Sequence, residues 1–432
     1  MKQRAMNFFS LAATVGVALL LVVVSPGAMV DSFVLQQPLS SSSMRGPNAP
    51  AAAPFSVLQA APVTSTSTAT AADLTRSVAQ LKQILEREYV SFFDPMERDF
   101  YLQGVTFDDP LTSLAGVDSY QANVDLLAAR TLLGKFLFRD ASIVLHSVTG
   151  GEIVVDNDDD NNNNNNGNQI QDITTRWTLR MTVKAIPWQP TARFTGVSVY
   201  RVGAGGVKGV QVLKQTDYWD SINLQKGGSY AAVGKGPAIK DFLKQLQPDN
   251  MQAIAAGPEL PFTLLRRGAD YQVRRYPAYT AVACDYERRD EGFMELGVYC
   301  AGLEPLAPAL MQVSKESGSS SSKTMAWPLA FAAPGMDSPA PITAKNAAEV
   351  PDCQLVTVPE RVVAVGSFSD ASVEPLVRRV DATLRAALVR DSLTAAAASS
   401  DSLQFAQYDA VYSMGARRGE VWVDLEPGGH PW

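Results

Sequence analysis

Histidine and cysteine are scarce in this sequence: its 432 residues include two of the first and three of the second. Cys284, Cys300 and Cys353 are odd in number and show no C-x-x-C spacing. That argues against a disulfide framework and against a zinc site. No metal site is therefore expected, and a reducing compartment fits the cysteine usage. No catalytic triad is legible, and no glycine-rich phosphate loop occurs. Basic residues are also in deficit. A net charge of −7 leaves no basic stripe for a phosphate backbone, so a nucleic-acid partner is not expected. With so little chemistry on offer, binding is the function class the composition favours.

What is present supports two packed cores and a leader, since 46% of the residues are hydrophobic. Residues 1–30 read as a signal peptide. Lys2 and Arg4 supply the basic start, Phe8 to Val24 the apolar run, and Pro26, Gly27 and Ala28 the cleavage region. A membrane anchor is the rival reading, because Leu11 to Val24 extended backwards is nearly long enough to span. After cleavage no stable membrane span is expected. Residues 31–72 read as a disordered transit segment: Ser32 to Ala72 hold no Asp, Glu or Lys and a single Arg45. A signal followed by a transit segment, with Phe33 just after the cut, resembles the two-part plastid leader of algae with complex plastids. The alternative is a spacer on a secreted or endomembrane-lumen protein.

Ordered structure is expected from Asp73. Asp73 or Thr75 can cap a helix in which Leu74, Val78, Leu81, Ile84 and Leu85 recur at helical spacing. Phe107-Asp-Asp-Pro110 breaks any helix, and Val117 to Phe138 resumes the pattern. Four alternating runs predict long antiparallel strands: Ala141–Val148, Ile173–Ile186, Arg193–Arg201 and Val207–Trp219. Asp156 to Asn168, with six consecutive Asn, is predicted to be a disordered insertion. Its Asp158-Asp159-Asp160 lacks the glycine and terminal glutamate of a calcium loop.

Helices first and a curved sheet afterwards predict an α+β cone over residues 73–225. Phe107-Asp-Asp-Pro-Leu-Thr-Ser-Leu-Ala-Gly116 followed by Tyr120, Arg176-Trp-Thr178, Pro187-Trp-Gln-Pro190 and Gln215-Thr-Asp-Tyr-Trp-Asp-Ser221 carry a resemblance. They are similar to an uncharacterised plant and algal domain related to the SnoaL-like and nuclear-transport-factor cone fold. Residues 226–258 read as a linker, with one short helix from Ile239 to Leu246.

Residues 259–426 repeat a plan of strands and one helix, which predicts a pseudo-duplicated α+β barrel, followed by a tail at 427–432. The strands are Phe262–Arg266, Tyr271–Tyr276, Tyr279–Asp285, Met325–Phe331, Gln354–Val358, Arg361–Phe368, Phe405–Tyr412 and Glu420–Leu425. The helices start near Glu291 and at Ser369 or Asp370. Four motifs stand in order: Tyr271-Gln-Val-Arg-Arg-Tyr-Pro-Ala-Tyr279, Phe293-Met-Glu-Leu-Gly-Val-Tyr-Cys-Ala-Gly302, Pro339-Ala-Pro341 and Arg417-Arg-Gly-Glu-Val-Trp-Val-Asp424. Together they resemble the SOUL/heme-binding protein family. A cone fused ahead of a SOUL domain also looks like a known plant plastid arrangement.

The resemblance implies non-covalent binding of heme or another tetrapyrrole in a groove formed partly by the first helix. Carried over, that groove falls on Phe293, Met294, Leu296 and Gly297. Arg274, Arg275, Arg378 and Arg379 are the natural partners for propionates. The structural alternative is that Phe293 and Leu296 are core, the arginines solvated charges, and Tyr271 and Tyr276 sheet packing. Two departures from the family pattern bear on the iron and the groove edge. The domain's lone histidine is His430 in the tail, which leaves Cys284, Cys300 or a tyrosine as axial ligand, and Leu310-Met-Gln-Val-Ser314 replaces a proline-containing strand. The implied function is a non-catalytic plastid carrier or buffer of heme or porphyrin. The alternatives are an interaction scaffold without ligand, or an acid–base enzyme using Asp108, Asp109, Tyr120 and His146 of the cone.

Overall fold

The structure is a computed structural model. It describes residues 70–154, 169–247, 258–301, 303–315, 321–330, 350, 352–369, 374–408 and 417–432. The leader, the Asn-rich insertion, Gly302, Pro339-Ala-Pro341 and Asp370 lie outside the described residues.

The first domain opens with α1 (Ala71–Val90). Its cap is Thr70, one turn earlier than anticipated, whose hydroxyl accepts from the Asp73 amide at 3.2 Å. All five apolar positions read from the sequence are buried. Then follow β1 (Tyr101–Asp108), β2 (Ser113–Ala115), α2 (Val117–Leu127), α3 (Leu132–Leu137) and β3 (Phe138–Gly150). The helical run expected from Val117 to Phe138 is split because Ala129 takes a left-handed backbone, φ 56°. β4 (Ile153–Val154) and β5 (Gln169–Ile170) pair at the base of the insertion, before β6 (Ile173–Val183), β7 (Thr191–Ala204) and β8 (Val210–Trp219).

These strands form a six-stranded sheet in the order β2-β1-β8-β7-β6-β3, antiparallel except where β1 meets β8. Sequence periodicity missed β1. Its Val105 and Phe107 alternate into the core, but the strand sits between a 3-10 turn and an Asp-Pro break. α1 packs across β3 and β8, which gives the α+β cone. α4 (Lys235–Gln245) buries Ala238 and Phe242 against this core, so part of the stretch read as linker belongs to it.

The second domain contains β9 (Thr263–Arg267), β10 (Gln272–Tyr276), β11 (Tyr279–Asp285), α5 (Arg289–Tyr299), β12 (Ala309–Lys315) and β13 (Ser321–Pro328). After them come β14 (Cys353–Val358), β15 (Arg361–Ser369), α6 (Glu374–Arg390), β16 (Ser402–Gln407) and β17 (Arg418–Asp424). The sheet order is β14-β11-β13-β12-β16-β17-β15-β10-β9. Apart from β9 the order is palindromic in the two halves: β11, β13 and β12 correspond to β15, β17 and β16. β14 and β10 are exchanged, each pairing with the other half. This is the pseudo-duplication expected from the sequence. The end strands β14 and β9 do not pair with each other, so the barrel is open.

Strand alternation gives the sheet two apolar faces. Val273, Val282, Met311, Met325, Ala364, Val421 and Val423 lie under α5 and α6. Tyr276, Tyr279, Ala281, Val363, Val365 and Trp422 face the other way. Glu420 sits on that second face, fully buried. It accepts from both terminal nitrogens of Arg274 at 3.0 Å, from the Tyr408 hydroxyl at 2.8 Å and from the Trp422 indole at 2.9 Å. Burial pushes the Glu420 carboxyl up, but Arg274 and Arg418 outweigh that and hold it below its ordinary range.

The expectation against a disulfide is corrected: Cys284 of β11 and Cys353 of β14 are bonded, with Cα atoms 4.3 Å apart. An odd cysteine count leaves room for one pair. The two are separated by 69 residues and are opposed only by strand register. Cys300 is the free cysteine among the described residues.

The domains meet where β9 crosses β7 and β6. The Arg267 amide donates to Thr195 Oγ1 at 2.7 Å, its Nε to the Arg193 carbonyl at 2.7 Å, and its guanidinium pairs with Asp241 of α4. Removing the charge of Glu420 strands Arg274 in the interior, where an uncompensated ion costs about 3–5 kcal/mol. Glu420→Gln is expected to destabilise the second domain by that amount, read from the urea midpoint followed by circular dichroism. A shift under about 1 kcal/mol would show that the charge is dispensable.

Candidate functional site

α5 and α6 lie on the same face of the sheet, α5 over β11, β13 and β14, α6 over β15, β16 and β17. Between the two helices, over the central strand β12 and the adjoining ends of β13 and β16, a cleft of about 430 Å³ opens. Its floor is Val313 of β12 with Leu403 and Phe405 of β16; Val313 and Leu403 face each other across the ladder. Val377 of α6 closes one side and Tyr286, just before α5, the other.

Three cations stand around this apolar floor: Arg289 at the start of α5, Lys323 of β13 and Arg378 of α6. The Arg289 guanidinium lies over the Phe405 ring, 5.5 Å from its centroid. Lys323 Nζ donates to the Glu287 carbonyl at 3.1 Å, and Arg378 pairs with Glu374 at 2.7 Å. Both acids also line the cleft. Arg378 and Glu374 are more than half exposed, so their pairing is weak and an incoming carboxylate can compete for the arginine. The cleft can hold a flat apolar body of which one edge carries negative charge.

Of the eight residues singled out from the sequence, Arg378 lines the cleft. Arg379 is its exposed neighbour on α6. Phe293 is half-buried and meets Trp327, while Leu296 is fully buried in the core. Met294 and Gly297 are on the outer side of α5; Met294 is 66% exposed, and a Cβ added to Gly297 would meet nothing. Arg274 is committed to Glu420, and Arg275 lies 3.8 Å from Glu360. Both are on β10, near the far edge of the sheet. The cleft residues Arg289, Lys323, Val313 and Phe405 escaped sequence reasoning, because the β12–β13 and β12–β16 registers and the packing of α5 bring them together.

The cone holds a second, smaller space, with adjoining cavities of about 70 and 100 Å³ between α2 and the inner face of the sheet. Aromatic side chains line it, among them Phe107, Tyr120, Trp177 and Phe194. Asp217 lines both parts and Asp109 the second. Burial pushes Asp217 up to about 7 and Asp109 up to about 6. The Tyr120 hydroxyl donates to Gln215 Oε1 at 2.7 Å, and Gln215 Nε2 donates to Asp217 at 2.8 Å. Asp217 was missed, although Gln215 and Asp217 are polar residues two apart on a strand whose inner face is otherwise apolar. Asp108 lies away from the cavity, paired with Lys214 at 2.8 Å. His146 bonds Thr178 Oγ1 at 2.8 Å, and burial pushes it down to about 4. The four cone residues proposed as acid–base groups are thus not gathered in one place.

Residues 258–424 match the model of the family described as SOUL heme-binding protein, and residues 79–157 that of an uncharacterized conserved protein family, DUF2358. The second domain is thus a SOUL-type domain, and a tetrapyrrole ligand is supported at the level of the family. No curated protein matches the chain. Among solved structures, the C-terminal domain of EcmrR is 8% identical, with 36% of this chain and 98% of that chain covered and a TM-score of 0.27. A hydrolase from Listeria innocua is 8% identical, covering 39% and 94% with a TM-score of 0.26. A putative scytalone dehydratase from Novosphingobium aromaticivorans is 10% identical, covering 34% and 83% with a TM-score of 0.22. At such scores these likenesses carry no argument about fold or activity.

The cone carboxyls have a measurable consequence. Their raised values mean that the folded protein holds protons the unfolded chain has lost. The stabilisation is complete below the ordinary value of 3.8 and disappears as the pH rises through about 6 for Asp109 and about 7 for Asp217. Asp217→Asn, permanently neutral, should therefore gain melting temperature relative to the unaltered protein as the pH rises from 5 to 8. A constant difference across calorimetric scans in that range would mean that Asp217 is ionised throughout.

Proposed function

We propose that the protein is a non-catalytic carrier or buffer of heme or a related tetrapyrrole, held in the cleft between α5 and α6. The observation that carries this is the apolar floor of Val313, Leu403 and Phe405 ringed by Arg289, Lys323 and Arg378 in a SOUL-type domain. A porphyrin pairs a flat apolar ring with carboxylates on one edge, and the cleft offers the complement of both. Covering roughly 400 Å² of ring gives about 10 kcal/mol of gross stabilisation, much of it offset by lost motion and side-chain ordering. That leaves micromolar binding within reach of ring contacts and propionate pairing alone. His430 follows β17 in the tail; among the described residues lining the cleft there is no histidine or cysteine, and burial pushes the hydroxyl of its tyrosine, Tyr286, up, away from the phenolate that would ligate iron. The grip is therefore on the ring and its carboxylates, and iron-free porphyrin binds as well as hemin does.

A plastid is the proposed compartment. What supports it is the two-part leader composition; the disulfide removes the argument from cysteine usage. A second reading concerns the cone, where Asp109 and Asp217 border an aromatic cavity. A carboxyl that titrates near neutrality can serve as a general acid or base, which keeps acid–base chemistry in that domain as the alternative.

Titration of the full chain with hemin and with protoporphyrin, followed by Soret absorbance, tests the carrier reading. Saturable one-to-one binding of both is expected. Arg289→Ala with Arg378→Ala should weaken it roughly 10- to 100-fold, the worth of one or two charge-assisted hydrogen bonds. Gly297→Trp, on the outer face of α5, should leave it unchanged. If Gly297→Trp abolishes binding and the arginine pair does not, the ligand sits on the outer face of α5. No binding at tens of micromolar would leave an interaction scaffold as the reading.

A further inference from the structure

The disulfide has a third neighbour. Glu295 reaches in from α5, and one of its carboxylate oxygens and both sulfurs lie within 4.8 Å of one another. Cys284 and Cys353 are buried, whereas Glu295 is half-buried. Glu295 Oε2 is shielded from solvent and has no hydrogen-bond donor. A carboxylate beside two sulfurs, one of its oxygens shielded and without a donor, is unfavourable as it stands. It becomes reasonable if the site has another state in which a cation takes the donor's place.

We propose that Cys284, Cys353 and Glu295 form a redox-exchangeable metal site: a disulfide when oxidised, and a thiolate–carboxylate site for a zinc-class divalent cation when reduced. The exchange balances with a dithiol as reductant. The dithiol gives two electrons and two protons to the S–S bond, producing two thiols, and itself closes to a disulfide. The cation then displaces both thiol protons and binds the two thiolates, with Glu295 as third ligand and water as fourth. Two thiolates and one carboxylate are a donor set suited to tetrahedral Zn²⁺ or Co²⁺ and ill suited to Mg²⁺ or Ca²⁺.

The three residues come from three elements, β11, β14 and α5, so the cation would replace the covalent tie while adding α5 to it. Access is also provided for. Cys353 begins β14, an edge strand paired on one side only. Opening at the start of an edge strand exposes the bridge to a dithiol, and the half-buried Glu295 is the side of the site nearest solvent. The site is separate from the cleft between α5 and α6, and the inference does not rest on tetrapyrrole binding.

The test uses the full chain, reduced with a dithiol, freed of it under anaerobic conditions and titrated with Co²⁺. One equivalent should produce the intense thiolate-to-cobalt charge-transfer absorption of a tetrahedral site, and Zn²⁺ should displace it. Oxidised protein should show no such band. Cys300→Ser should behave as the unaltered chain, Cys284→Ser and Cys353→Ser should lose the band, and Glu295→Gln should weaken binding roughly tenfold or more. Glu295→Gln leaves both cysteines in place, which keeps the test informative if a cysteine variant misfolds. The proposal is overturned if the reduced chain gives no band at equimolar Co²⁺, if the band survives loss of both cysteines, or if Glu295→Gln binds as tightly as the unaltered chain. Loss of native circular dichroism on reduction would also sink it, since the site needs β11 and β14 to stay paired.

Discussion

A buried carboxylate must be surrounded by donors or it unfolds what contains it, and Glu420 imposes that requirement on the second domain. Its partners come from β10 (Arg274), β17 (Trp422) and Tyr408 just after β16. Arg274 in turn stacks on Phe262 and bonds the Tyr276 hydroxyl, and Tyr276 stacks on Trp422 with centroids 4.6 Å apart. Satisfying one charge thus fixes strands on either side of β15 and commits one face of the sheet to structure. With that face occupied, ligand binding is left to the face that carries the helices.

The exchanged duplication explains where the space on that face lies. Each helix covers the strands on its own side of the pseudo-symmetry axis, and the axis passes between β12 and β16, the two strands that correspond to each other. α6 reaches β16 but neither helix crosses β12, so the cleft opens beside the axis. Its charge pattern has the same origin: the starts of α5 and α6 both point there and bring Arg289 and Arg378 to opposite rims. The pair Val313–Leu403 forms the floor because the register sets them opposite each other.

The sequence was most legible where a pattern is local. The stripe of α1, the strands β6, β7 and β8, and the duplicated strand and helix plan all follow from period 3.6 or period 2. It was least legible where register decides. Cys284 and Cys353, read as isolated cysteines, are opposed across a ladder. Arg274 sits in a family motif and reads as a ligand partner, yet it is the counterion of a glutamate 146 residues away. Lys323 and Phe405 have no sequence pattern that distinguishes them from any other strand residues. β1 was hidden for a different reason: it joins the sheet in parallel beside β8, and nothing local reports a parallel partner.

Ion pairs join the two domains. Asp220 of the cone is fully buried between Arg176 at 3.4 Å and Arg266 of β9 at 4.0 Å. The terminal Trp432 has Arg176 at 5.4 Å and Arg266 at 5.0 Å from its ring centroid. Separating the domains would take Asp220 from Arg266 and Asp241 from Arg267, a cost that favours one arrangement of the pair. That arrangement places the cone against β9 at one end of the sheet, whereas the cleft lies over β12 and β16 at its middle. No described residue of the cone lines the cleft, and none of the second domain lines the cone cavity. The two spaces are therefore separate, and one molecule does not bridge them.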